Sequence, residues 1–203
     1  MIIILIALTS IVSFLAFSRN DLFDKLQFNA WYIKHYKEWY RFFSYALLHA
    51  DWAHLIINMF VLWSFSSIVL SHFTIIYHGA AGLHFLLLYV GGTIFSTLYD
   101  FWKNQENIYY NAVGASGAVS AVVFASIILY PNGKIFFYFI PIGIPSWLFG
   151  ILYLIYSAYM GKRAKDNIGH NAHFWGAIFG ILYMVVTSPN TIKLFYNQLK
   201  LFQ

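Results

Sequence analysis

Cysteine is absent from the 203-residue chain, and charge is scarce: 12 Lys and Arg with 7 Asp and Glu make only 9% of the residues. The first absence excludes disulfide scaffolds and thiolate chemistry. The second excludes an ordinary soluble domain, where about 25% of residues are charged. So few charged side chains cannot solvate a chain that is 61% apolar and 22% aromatic. The same apolar content excludes a disordered chain. The formal net charge of +5 hints at a basic patch, but the basic residues are scattered and make no phosphate-tracking stripe. No nucleic-acid partner is expected. What remains is a polytopic membrane protein with the lipid bilayer as its solvent.

A bilayer core of about 30 Å needs about 20 mostly apolar residues per helix. Charge-free stretches at about 2–17, 53–73, 80–99, 113–130, 146–160 and 168–187 predict an all-α, six-span bundle. The chain shows no internal repeat and no second domain, so residues 1–203 read as one unit. Stretch 2–17 lacks the basic n-region and small-residue cleavage site of a signal peptide and reads as a retained helix. The connection 18–52 interleaves charges from Arg19 to Arg41 with Trp31, Tyr32, Trp39, Tyr40 and Phe42, as a segment lying in the membrane interface would. The tail 188–203 reads as a short interfacial helix.

Polar groups inside apolar stretches are costly and point to function. Three clusters qualify: His54 and Asn58 at the start of the second stretch, Ser116 in Gly114-Ala-Ser116-Gly117 at the start of the fourth, and His170 and His173 at the start of the sixth. The second, fourth and sixth spans run in one direction, so all three clusters lie on one side of the membrane. His54 and Asn58, spaced i,i+4, share a helix face. A serine at a helix N-terminus offers its own backbone N–H to a developing oxyanion. A histidine at a helix N-terminus is biased toward the neutral form that a general base needs. Gly176-xxx-Gly180 on the sixth span and Gly117-xxx-Ala121 on the fourth form small stripes that let two backbones meet. That packing is expected to bring Ser116 within hydrogen-bond reach of His173. Two further readings exist. His170 and His173, with His54, have metal-ligand spacing and suit a metal transporter. Asp51 and Asp166 read as loop or cap residues.

Together these residues resemble the rhomboid intramembrane serine proteases. The family's H-x-x-x-N, G-x-S-G and A-H-x-x-G-x-x-x-G motifs read here His54 to Asn58, Gly114 to Gly117 and Ala172 to Gly180, in order. Glu38 and Arg41 match an element of the family's first loop, with Tyr40 where Trp is usual, and His49 matches a histidine before the first motif. The resemblance implies a dyad of Ser116 and His173, an oxyanion site of His54, Asn58 and Ser116, and no cofactor or metal. Gly114, Gly117, Gly176, Gly180, His49, Glu38 and Arg41 would support that site. Substrates would be membrane proteins cut in or near a transmembrane helix, admitted by a lateral gate at about 146–169. The family's usual aromatic four residues after the serine is Ser120 here, which leaves Phe174 or Trp175 as candidates to hold His173. The resemblance also implies a site on the outer side, and the lack of soluble extensions in the sequence points to a bacterial cytoplasmic membrane as the expected home. The loop charges favour the inverted orientation by the positive-inside rule. A catalytically silent rhomboid-like binder is the rival reading.

Overall fold

Helix breaks and small residues decide this architecture. The computed structural model describes residues 1–137, 140–163 and 169–200. Helix α1 is Ile2–Phe17. The first loop then folds into three short helices, α2 (Asn20–Leu26), α3 (Ala30–Tyr36) and α4 (Arg41–Ser44), and a 3-10 turn, Tyr45–Leu47. The long helices are α5 (Trp52–Tyr77) and α6 (Ala81–Asn104). Next come α7 (Ser116–Leu129), a hairpin of β1 (Lys134–Phe137) and β2 (Ile140–Pro145), α8 (Ser146–Arg163), α9 (His170–Thr187) and α10 (Asn190–Lys200). The helices fit the all-α expectation. The antiparallel hairpin, with Lys134 opposite Pro145 and Ile135 opposite Ile144, is an addition that sequence reading did not anticipate.

Local chemistry sets these boundaries. Asp51 caps α5 by accepting from the His54 N–H at 2.7 Å, the cap role expected of it. Helix α5 stops at His78, whose φ of 48° is left-handed, and α6 folds back against α5. Asn29 caps α3 by accepting from the Tyr32 N–H at 2.9 Å, and Lys37 ends it at φ 61°. Residues 164–168, near the end of the expected gate and including Asp166, and the last three residues of the tail lie outside the described residues.

Six spans were expected from charge-free stretches, and helix length modifies that picture. Among the described residues, the continuous run Trp52–Asn104 is long and apolar enough to cross a bilayer. Helices α9 and α10 pass the same test only together, and they are bent by 109°. Helix α1 has 16 residues and α7 has 14, which at 1.5 Å per residue falls short of a core of about 30 Å. The reason for α7 is that its helix starts only at Ser116, although apolar sequence begins earlier.

Helix α7 is the axis of the fold. Every residue from Gly117 to Ile127 is buried, enclosed by α5, α6 and α9. A Cβ on Gly176 would overlap the carbonyl of Gly117, and one on Gly180 would overlap the carbonyl of Ala121. Helices α7 and α9 therefore run parallel with backbones in contact, along the two small stripes expected to meet. Helix α6 joins them where a Cβ on Gly92 would stand 2.7 Å from Ala121 Cβ. At the far end, Tyr77 stacks on His84 at 3.5 Å, and His84 Nδ1 bonds the Tyr183 hydroxyl at 3.0 Å.

Because the α7–α9 contact is backbone on backbone, Gly180→Leu has no side chain to push aside. It is expected to cost about 3 kcal/mol or more by overpacking. Gly79→Ala, at a position with nothing within 4 Å, should be neutral. Thermal unfolding in detergent micelles compares the two, and equal midpoints would contradict the packing described.

Candidate active site

The site is built outward from the first loop. Arg41 is buried, its Nε donating to Glu38 Oε2 at 2.6 Å and its Nη1 to the carbonyls of Asp24 and Gln27 at 2.8 and 2.7 Å. The Tyr40 hydroxyl, standing where Trp is usual, lies 3.1 Å from both Glu38 Oε2 and the Lys25 carbonyl and has one proton to offer the two. The loop so folded grips the connection between α6 and α7. Phe28 and Ala112 exchange backbone bonds of 2.9 and 3.0 Å, and Asn29 donates to Ile108 O and Asn111 Oδ1, each at 2.8 Å. Tyr45 reaches in two directions: its carbonyl accepts from the Gly114 N–H at 3.1 Å, and its hydroxyl donates to Thr93 O at 2.7 Å. Glu38 and Arg41 thus lie away from the serine and act through the loop that carries Gly114 to Ser116.

Gly114 is required twice over. Its φ of 119° is a conformation that side chains rarely adopt, and a Cβ there would stand 2.7 Å from His54 Cε1. The turn before Ser116 is therefore pressed directly against the His54 ring. Ser116 opens α7, where helical N–H groups have no intrahelical acceptor.

Hydrogen bonds set the tautomers of the two histidines beside that turn. The Ser13 hydroxyl gives its only proton to Leu47 O at 2.7 Å. His49 Nδ1, 3.0 Å from the same hydroxyl, must then donate, which leaves Nε2 bare. That buried Nε2 has no hydrogen-bond partner among the described residues, and the ring meets His54 edge-on at 4.9 Å. On His54, Nδ1 accepts a long bond of 3.5 Å from the Ala50 N–H, so Nε2 carries the proton and lies on the side of the Gly114 turn. Asn58 is buried one turn on, one amide proton donated to His54 O at 2.9 Å, the other available.

The α7–α9 contact assembles the rest. Ser116 precedes Gly117, which lies against Gly176, and His173 is one turn before Gly176. Both half-buried side chains thus sit at one end of the contact. No hydrogen bond joins Ser116 to His173 among the described residues. Such bonds are often long before substrate binds. His170 is buried, with its ring edge-on to His173 at 6.0 Å. Among the described residues, no three His, Asp or Glu side chains gather closely enough to hold a metal ion.

The aromatic partner of His173 differs from expectation. Phe174 packs on Trp175, and Trp175 packs on Phe95 and Tyr99. The ring that lies nearly parallel to His173, at 6.1 Å and 24°, is Tyr153 of α8. Its hydroxyl shares a 2.8 Å hydrogen bond with Ser120. The small residue at position 120 was the only sequence signal that a ring had to come from elsewhere.

A family model described as Rhomboid domain matches residues 36–190. Rhomboid protein 1, mitochondrial, of Saccharomyces cerevisiae is 27% identical over 141 residues, covering 68% of this chain and 39% of that protein. Presenilin-associated rhomboid-like protein A, mitochondrial, of Danio rerio is 30% identical over 141 residues, covering 67% and 34%. The human presenilin-associated rhomboid-like protein, mitochondrial, is 29% identical over 150 residues, covering 67% and 35%. The chain therefore spans little more than a third of the length of these relatives.

His49 generates a pH prediction. Burial first, and the neighbouring His54 second, lower its pKa from 6.5 to about 3. Below about pH 6.5 an unfolded chain protonates this ring while the folded one does not, so stability falls as pH drops from there toward about 3. The unfolding midpoint in detergent should drop from about pH 7 to about pH 5, and His49→Phe should flatten the dependence. Ser13→Ala strands the buried Nδ1–H and should cost about 1–3 kcal/mol at neutral pH. A pH slope that survives His49→Phe unchanged would assign it to other groups.

Proposed function

The chain belongs to the rhomboid family, and from that premise we propose that it is an intramembrane serine endopeptidase. Its place is in a membrane. The observation that carries the reading is the convergence at one end of α7. The Gly114 turn rests on His54, and the Gly117–Gly176 contact sets Ser116 and His173 at the same level.

In this reading Ser116 Oγ attacks the scissile carbonyl and His173 takes its proton. The oxyanion is met by the Ser116 backbone N–H, the His54 Nε2–H and the second amide proton of Asn58. Collapse of the tetrahedral species breaks the peptide bond, and His173 gives the proton to the leaving amine. Water then adds to the acyl-enzyme, again with His173 as base, and releases the carboxylate and Ser116. His49 holds His54 in place, and its bare Nε2 suits a water on the way to the site. Gly114, Gly117, Gly176 and Gly180 set the spacing, and Glu38 and Arg41 brace the loop behind it. Residues 1–203 act as one unit of six membrane segments.

The substrate is a transmembrane segment of another protein, in keeping with the exposed apolar side chains that the neighbouring α5 and α8 present, Ile56, Ile57, Ile151 and Ile155 among them. That segment must unwind locally before a serine can reach its backbone. The site faces outward from the cytoplasmic side. The relatives above are named as mitochondrial proteins; they support a membrane and lend nothing to a bacterial one in particular.

The test is cleavage of a single-span reporter by the full chain in liposomes. Ser116→Ala and His173→Ala should each lower the rate about 10³-fold or more. A serine-directed phosphonate should label the parent and not Ser116→Ala. Cleavage by Ser116→Ala at the parental rate would overturn the mechanism. An unlabelled, inert parent that still retains membrane clients would favour the silent binder. For orientation, Lys162→Cys, which introduces a lone thiol, should react with an impermeant reagent in intact cells, and protection would invert the assignment.

A further inference from the structure

We propose that Tyr153, carried by α8, is the positioning residue of His173, and that its hydrogen bond to Ser120 makes the orientation of that histidine depend on the seating of α8. The proposal rests on the dyad reading above.

Three observations support it. The Tyr153 ring lies at 6.1 Å and 24° from the His173 ring, so a flat face limits rotation of the imidazole about its last side-chain bond. The ring is itself wedged by Phe124 of α7 at 5.6 Å and Phe149 of α8 at 5.7 Å. Its hydroxyl meets Ser120 at 2.8 Å, and Ser120 is 4% exposed, inside the most enclosed helix of the fold. A buried hydroxyl requires a partner, and this one finds it on a neighbouring helix rather than on its own backbone. Ser120 and Tyr153 therefore form one unit: the serine leaves room on α7, and the tyrosine crosses from α8 to fill it.

The origin of the ring has a consequence. Helix α8 is peripheral: its buried residues are Ser146, Gly150 and Ser157, against an unbroken run in α7. Gly150 lets it approach α7, its Cβ position 3.4 Å from Ile127 and Phe124. A ring borne by α7 would stay beside His173 whatever α8 did. A ring borne by α8 leaves when α8 swings away, and the base loses its support. His173 is thus held for proton transfer only while α8 is seated on α7.

The test uses the full chain in liposomes with a single-span reporter, reading kcat and KM separately. Tyr153→Phe and Ser120→Ala each cut the tether and keep the ring, and should lower kcat about threefold. Tyr153→Leu keeps comparable bulk without a flat face, and should lower kcat about tenfold with KM within about twofold. Adding Ser120→Phe to Tyr153→Leu restores a ring from α7 and should recover most of the loss. A parental kcat in Tyr153→Leu, or a loss confined to KM, overturns the proposal. If Tyr153→Leu does not fold, a parental kcat in both Tyr153→Phe and Ser120→Ala overturns the tether. In 13C-histidine-labelled Ser116→Ala protein, the ring-current shift of His173 should persist with Tyr153→Phe and vanish with Tyr153→Leu. An inert parent, or an active Ser116→Ala, would instead fail the dyad reading and leave that spectroscopic comparison standing.

Discussion

The fold depends on one contact, the meeting of α7 and α9 backbones at Gly117 with Gly176 and at Ala121 with Gly180. In lipid, apolar burial gives helices little reason to associate, because the tails are as apolar as leucine. Close approach must supply dispersion and weak polar contacts instead, and only residues without bulk allow it. The contact fixes the rise of one helix against the other in steps of one turn. That is why Ser116 and His173, each beside a contacting glycine or one turn from it, come to the same level. A bulky residue at any of these positions would shift the pair apart before it unfolded anything. Helix α6 extends the same logic with Gly92 against Ala121 and Ser96 against Gly117.

Around that axis, the first loop works as a brace. Most of its charges are exposed, but Arg41 is buried and spends its guanidinium on Glu38 and two backbone carbonyls. Buried carbonyls at the ends of short helices need donors, and a guanidinium supplies several in a fixed fork. The brace holds the α6–α7 connection through Phe28, Asn29 and Tyr45, so the geometry of Gly114 traces back to residues some seventy positions earlier. Lys34 pairs with Glu106 across the same interface.

Much of this was legible beforehand, for identifiable reasons. The positions of the polar clusters followed from the cost of polar groups in apolar stretches, and their shared side followed from counting hairpins. The small stripes announced the α7–α9 contact, because nothing else explains glycine at a four-residue spacing there. The hairpin of β1 and β2 was not legible: Lys134 to Pro145 is short, and its register is irregular between Ile135 and Phe137. The stretch read from about 113 is helical only from Ser116, because hydropathy is blind to the turn at Gly114, while the serine does open the helix as expected. Tyr153 was missed because Phe174 and Trp175 are neighbours of His173 in sequence, while side chains at successive helix positions point about 100° apart. Adjacency along a helix is a poor guide to contact, and Trp175 indeed turns to α6.

The tautomer of His54 shows how far such remote constraints reach. Nothing about His54 itself says which nitrogen carries its proton. The Ala50 N–H reaches Nδ1 because Asp51 starts the helix where it does. On the other side, His49 is turned by Ser13 of α1, whose hydroxyl is already committed to Leu47. Two backbone groups and one hydroxyl therefore direct an N–H toward the Gly114 turn, and the one carboxylate beside them, Asp51, acts on the helix backbone rather than on either ring. In a setting where every buried charge is costly, orienting neutral imidazoles by hydrogen bonds is the arrangement least penalised by burial. It is consistent with a chain that has only 12 Lys and Arg and 7 Asp and Glu, most of them in its loops, and that keeps its polar pocket uncharged.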